Sequence, residues 1–243
     1  MANTFRRENF QSATGLGYAA IAVLALIVFT SSFNFLGSVG MIAFPDATLD
    51  PEDGGGSINV SLMVVGLFAL IDIPLRILCA IFFLIWLHRA YGNLSPLKAQ
   101  NLEFSPGWAV GWWFIPLANL VKPFQIVREL YVKSDRDGYD DYGALSGGSR
   151  SAELVGFWWA ALLLSNFAYR ISDKLYGDGD LPASDYFPVA YMVGGLLGAV
   201  AGILAIRIVR SVDSDQAARI SKIWSHSARA DTPPPPPTFG SNG

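Results

Sequence analysis

The chain has little of what soluble enzymes and metal proteins rely on. Of its 243 residues one is cysteine, Cys79, and two are histidine, His88 and His226. A single cysteine excludes an internal disulfide and a thiolate zinc site. Two histidines far apart in sequence argue against a multi-histidine metal centre. Charge is scarce too. Only 15% of residues are charged, where soluble domains carry about 25%. The net charge of −3 leaves no basic surplus for a nucleic-acid partner. No P-loop, dinucleotide glycine fingerprint or nucleophile–base pairing is present. The expectation is therefore a chain that is not an enzyme, with no cofactor and no metal.

What the chain has instead is long apolar runs. The composition is 52% hydrophobic and the mean hydropathy is +0.37. No charged residue lies between Glu8 and Asp46, a gap of 37 residues. A membrane span needs about 20. Arg6 and Arg7 before Leu16–Phe29 resemble the start of a signal peptide. The apolar run continues through Phe33, Phe35 and Met41, too long for one, so an uncleaved first span is expected. Four spans emerge: 16–36 (reaching toward Phe44), 58–87, a short one at 154–169, and 186–206. Trp86, Trp158, Trp159, Tyr169 and Tyr186 fall near span ends, where amphipathic rings favour the interface.

The loops between them are sorted by charge. Pro45–Ser57 carries Asp46, Asp50, Glu52 and Asp53 with no basic residue, and Gly54, Gly55 and Gly56 loosen it. Arg170–Asp185 is also acidic on balance. With four spans, 14 of the 17 basic residues fall on one side and two on the other, with Arg76 inside a span. Basic loops stay cytoplasmic, so both termini are expected inside.

Between Ser105 and Leu130 the chain reads SPGWAVGWWFIPLANLVKPFQIVREL. Three Trp, three Pro and two Gly sit in a stretch that stops being apolar after Val121. A full crossing here would put six basic residues inside and ten outside, against the charge rule. At 15 residues, 107–121 fits a re-entrant or interfacial segment better than a span. Leu117, Leu120, Val121, Phe124, Val127 and Tyr131 recur at helical spacing, with Asn119, Lys122, Gln125, Glu129 and Lys133 opposite. Pro116 and Pro123 interrupt that pattern. The expected form is a hairpin of two short arms over about 104–134, joined near Pro116–Pro123.

The remaining segments follow. DRDGYDD, beginning at Asp135, resembles a calcium loop. Tyr139 and Asp140 occupy its fifth and sixth positions, where an oxygen ligand and glycine are needed. Val212, Ile220, Ile223 and Trp224 mark a basic amphipathic helix over 213–230 along the inner surface. Residues 1–15 form a cytoplasmic N-terminus, 16–212 the membrane domain, and 231–243 a disordered Pro-rich tail.

The motifs Trp86–Leu94, WLHRAYGNL, and the Trp-rich stretch carry a family resemblance. The residues are Trp86, Arg89, Ala90 and Asn93; Ser105, Pro106, Gly107 and Trp108; Phe114, Pro116, Asn119 and Leu120; and Arg128 with Glu129. In these the chain resembles the bacterial membrane family catalogued as domain of unknown function 4328. The resemblance extends over 16–212, with motifs only from Trp86 to Leu130. Members often have Trp where this chain has Val121, and an aromatic such as Trp where it has Tyr131. The resemblance implies a bacterial cytoplasmic membrane but no activity and no ligand.

Three groups of residues are candidates for a role. Asp72 and Arg76 lie four apart in the second span, on one helical face, with Pro74 between them. They read either as a structural ion pair or as a ligand or ion site. Arg128 and Glu129 read as a solvated helix face, or as facing a polar cavity with Asn119 and Gln125. Gly194, Gly198 and Gly202, spaced by four, allow close helix approach, within the monomer or across a homodimer. Trp112, Trp113 and Pro123 complete the motif set. The function expected from the sequence is a non-catalytic scaffold or regulator, with anionic lipid and a membrane protein as partners. The competing reading is a small transporter or channel lined by Asp72, Arg76, Asn119 and Gln125.

Overall fold

The computed structural model describes residues 10–46, 48–49, 58–136, 151–177 and 186–230. The Pro-rich tail, the extreme N-terminus and most of the DRDGYDD loop lie outside these residues. Six helices account for nearly all the regular structure described: α1 (Thr14–Ala43), α2 (Val60–Gly92), α3 (Pro106–Gly111), α4 (Lys122–Lys133), α5 (Glu153–Gly177) and α6 (Phe187–Ala230). A two-residue antiparallel pairing, β1 (Thr48–Leu49) with β2 (Ile58–Asn59), closes the α1–α2 connection. Four helices, α1, α2, α5 and α6, are long and apolar enough to cross a membrane. The fold is that of an all-helical integral membrane protein with four transmembrane helices.

The helices run further than their apolar cores. The third span, expected to end at Tyr169, continues as α5 through Arg170, Asp173 and Lys174. No proline or glycine stops it before Gly177, and charged side chains at a helix end can reach the interface. The surface helix expected after the fourth span is not separate. It is the second half of α6, which stays unbroken for 44 residues, or about 66 Å at helical rise. From Ile203 to Ala230 the sequence has neither glycine nor proline to turn it. In α2, Pro74 is accommodated without ending the helix.

The four long helices form a row, α2–α1–α6–α5. α6 packs along α1 on one side and α5 on the other, and α1 packs along α2. Small residues bring α6 close to both neighbours. A Cβ on Gly195 would lie 2.8 Å from the backbone nitrogen of Phe35, and one on Gly202 would lie 2.5 Å from Val28. Gly194 abuts the Tyr169 ring, and Gly198 lies between Ser31 and Ser165. The glycine series is thus occupied by α1 and α5 of the same chain. Lipid is as apolar as leucine, so such close backbone contact carries much of the association.

The described segment between α2 and α5 folds as two short helices, α3 and α4, and neither is among the helices long and apolar enough to cross a membrane. Ser105 caps α3 by accepting from Trp108 N–H, and Pro106 occupies the first turn, where no N–H is missed. Short 3-10 turns at Trp112–Phe114 and Ala118–Leu120 lead into α4. The amphipathic pattern expected from Leu117 is realised only from α4 onward, because Pro123 sits in its first turn. Leu117, Leu120 and Val121 are exposed, while Ile126, Val127, Leu130 and Tyr131 are buried.

Candidate functional site

Two polar sites are built into this frame, one within the apolar helices and one at their end.

The inner site begins at Asp72. Its carboxylate accepts from the Thr30 hydroxyl of α1 at 3.0 Å and from Arg76 Nε–H one turn along α2. The Asp72 side chain is 14% exposed and that of Arg76 32%. The Arg76 guanidinium carbon lies 5.5 Å from the centroid of the Tyr169 ring on α5, within cation–π range. Arg76 therefore links α2 to α5 across a gap. Below it lies a cavity of about 250 Å³, walled by Leu24, Phe83, Trp113, Trp158 and Ala201 among others, with Arg76 at its polar edge. Trp113 N–H is buried without a hydrogen-bond partner.

An aromatic cluster closes the other end of that gap. Phe83 meets Trp86 at 5.4 Å, Trp113 at 5.6 Å and Trp158 at 6.1 Å between ring centroids. Trp113 in turn meets Trp159 edge-on at 6.0 Å. Trp159 donates its N–H to the Leu120 carbonyl at 3.0 Å, fastening the hairpin tip to α5. Phe83 lies nine residues before the end of α2, about 14 Å along the helix. The tip reaches that depth, and the arms return to the same end.

The outer site is a buried polar network at that end. Asn93, just past α2, is 2% exposed. Its amide N–H donates to the Gln11 carbonyl at 2.9 Å and to Gln216 of α6 at 3.2 Å, and its carbonyl accepts from Gln11 N–H. Gln216 donates onward to the Ala90 carbonyl at 2.9 Å and to the Ser134 hydroxyl at 3.0 Å. Arg219 donates to the Lys133 carbonyl at 2.7 Å. Arg136 and Asp215 form an ion pair at 2.8 Å. Trp86 donates its indole N–H to Asp213 at 2.9 Å. Gly17 makes room for that carboxylate, since a Cβ there would overlap Asp213 Oδ2. Asp213 lies beyond the apolar 186–206 stretch of α6, and burial pushes its pKa up to about 6, opposed by the Trp86 hydrogen bond.

Glu129 and Arg128 part company. Glu129 is half-buried as a residue with its side chain 8% exposed, and it accepts from the Tyr91 hydroxyl, from Glu103 N–H at 2.9 Å and from Lys133 at 2.8 Å. Arg128 is exposed. Asn119 and Gln125 do not join Glu129. Gln125 accepts from Lys122 at 3.0 Å, and Asn119 N–H bonds Ile115 within the tip. Lys122 also lies 5.8 Å from the Trp112 ring centroid. Arg89 occupies the last turn of α2, where a cation suits the helix dipole. Of the four residues proposed for a polar path, Arg76 alone lines the central cavity.

The sequence reading missed Asp213, Gln216, Tyr91, Ser134 and Asp215. A signal existed for two of them. Asp213 and Gln216 share a helical face with Val209, Val212, Ile220 and Ile223, all buried. Polar residues on an otherwise apolar face must find partners.

The fold and both sites define a class: a four-helix membrane protein whose aromatic hairpin and helical extension are joined at one end. A family model, described as a domain of unknown function (DUF4328), matches residues 51–214. The chain belongs to that family. The match starts at residue 51, so α1 lies outside it, and it includes the whole hairpin and α6 as far as Ser214. No curated protein and no solved structure matches the chain.

Proposed function

We propose that the protein is a non-catalytic scaffold or regulator in the bacterial cytoplasmic membrane, with both termini cytoplasmic. The observation that carries this reading is the network of Asn93, Gln216 and Ser134. It welds α2, the hairpin and the extension of α6 into one rigid head, and a rigid head suits a partner protein. Exposed Lys98, Arg128, Arg207 and Arg210 belong to the same end. Each can attract anionic lipid with about 1 kcal/mol near the surface. Phe114, Leu117, Leu120 and Val121 are exposed at the hairpin tip. Apolar side chains so exposed favour hydrocarbon over water, so we read the hairpin as dipping into the inner leaflet. The transporter reading is disfavoured because, of Asp72, Arg76, Asn119 and Gln125, only Arg76 lines the cavity between α2 and α5.

Purification of the full chain in mild detergent, after cross-linking in cells, tests this. One protein should be recovered reproducibly. Its recovery should fall on Gln216→Leu, while the amount of folded chain stays measurable by size-exclusion chromatography. A chain recovered alone that moves a solute across liposomes, and stops doing so on Asp72→Asn, would overturn the proposal.

A further inference from the structure

The row of helices leaves one side open. α2 and α5 are its outer members, and their backbones hardly approach. Side chains bridge them at two levels. At one, Arg76 lies over Tyr169. At the other, Phe83 meets Trp158. The cavity of about 250 Å³ lies between these bridges. Its back wall is α6, which lines it with the small residues Gly198, Ala201, Gly202 and Ala205. An apolar cavity of about 150 Å³ in another protein already takes up benzene, so this one has room for a larger apolar group. Its mouth faces the side of the bundle where a membrane would supply hydrocarbon, so an apolar molecule could enter without crossing water.

The polar edge of the cavity restricts what that molecule can be. A guanidinium has five N–H donors; Arg76 gives Nε–H to Asp72 and can reach the Tyr169 hydroxyl with another, which leaves further donors for a ligand. Its side chain is nearly a third exposed, and it lines the cavity. An unsatisfied donor in hydrocarbon is costly, so an oxygen acceptor is favoured there. Arg76 and Asp72 already cancel in charge. An anion would bring an uncompensated charge to a depth where charge is expensive. A neutral oxygen satisfies the donors and adds none.

We propose that the cleft between α2 and α5 binds an uncharged, lipid-soluble molecule, its carbonyl-type oxygen on the Arg76 guanidinium and its apolar body against Trp113 and Trp158. The proposal is independent of the scaffold reading.

Tryptophan quenching tests it, because Trp113 and Trp158 form the wall. The full chain in detergent micelles is titrated with three brominated probes of equal chain length: a methyl ester, a carboxylate held ionised, and a bromoalkane. The ester should quench saturably at about tenfold lower concentration than either other probe, the size expected of one hydrogen bond from a charged donor. Ala80→Phe, which fills the exposed mouth on α2, should remove the saturable component. Asp72→Leu with Arg76→Leu keeps the site neutral and removes the donors, so ester and alkane should then bind alike. The proposal is overturned if quenching of the unaltered chain is unsaturable, if the alkane or carboxylate matches the ester, or if the ester preference survives the double leucine change. The probe ranking is made on the unaltered chain, so it decides even where a variant misfolds.

Discussion

Asp72 sets the terms for the apolar part of the molecule. A carboxylate at the middle of a span is tolerated because Thr30 and Arg76 both donate to it. Removing one member of a buried pair costs about 3–5 kcal/mol, chiefly by stranding the other charge. Arg76 is partly open, so its loss should sit at the low end of that range or below. Asp72→Ala should therefore lower the melting temperature in detergent more than Asp72→Ala combined with Arg76→Leu. A double variant no more stable than the single would show that the pair is not the relevant interaction. The pairing was legible in the sequence, because i, i+4 spacing in an apolar helix permits little else. The Thr30 and Tyr169 contacts were not, since they depend on which helices neighbour α2. Glu129 was harder still. Its neighbour Arg128 is exposed, and nothing local tells that Tyr91 and Lys133 converge on the carboxylate.

At the scale of elements, α6 differs most from expectation. Its apolar half and its polar half were both visible as helix, but not as one helix. What marks continuity is the lack of any breaker after Gly202, together with polar residues that keep to the buried face. The Trp86–Asp213 bond then locks α2 to this extension. Burial raises Asp213 to about 6 from the ordinary carboxylate range. The folded state therefore holds the proton more tightly than the unfolded chain does. The resulting stabilisation is complete below the ordinary value and is lost as pH rises through about 6. Thermal stability in detergent should be higher at pH 5 than at pH 7.5 on this account. Asp213→Asn, which keeps an acceptor for the indole but cannot titrate, should shrink the difference. An unchanged pH dependence in that variant would assign the effect elsewhere. The hairpin was legible as broken and aromatic. Its depth beside Phe83 was not, because stacking of rings from three separate segments leaves no trace in any one of them.

For the whole molecule the decisive question is on which side the hairpin's arms emerge. Both return to the end of α2, where Glu129 accepts from Tyr91 and Lys133 donates to the Gln100 carbonyl. The start of α1 joins the same end through Gln11 and Asn93, and α6 joins it through Gln216. The opposite end carries the β1–β2 pairing of the α1–α2 connection. We propose that the first end is cytoplasmic, on the charge split of 14 basic residues against two. On that proposal, with four crossings and a hairpin that does not cross, the α1–α2 connection is expected outside and the connection before α5 inside. Reporters inserted after Gly55 and after Gly147, in connections beyond the described residues, read these sides directly. The first should be active only as an external reporter and the second only as a cytoplasmic one. Finding both on one side would mean that the Trp-rich segment crosses completely. The arrangement of α2 and α5 around the cavity would then be wrong as well, since the hairpin closes one end of the gap between them.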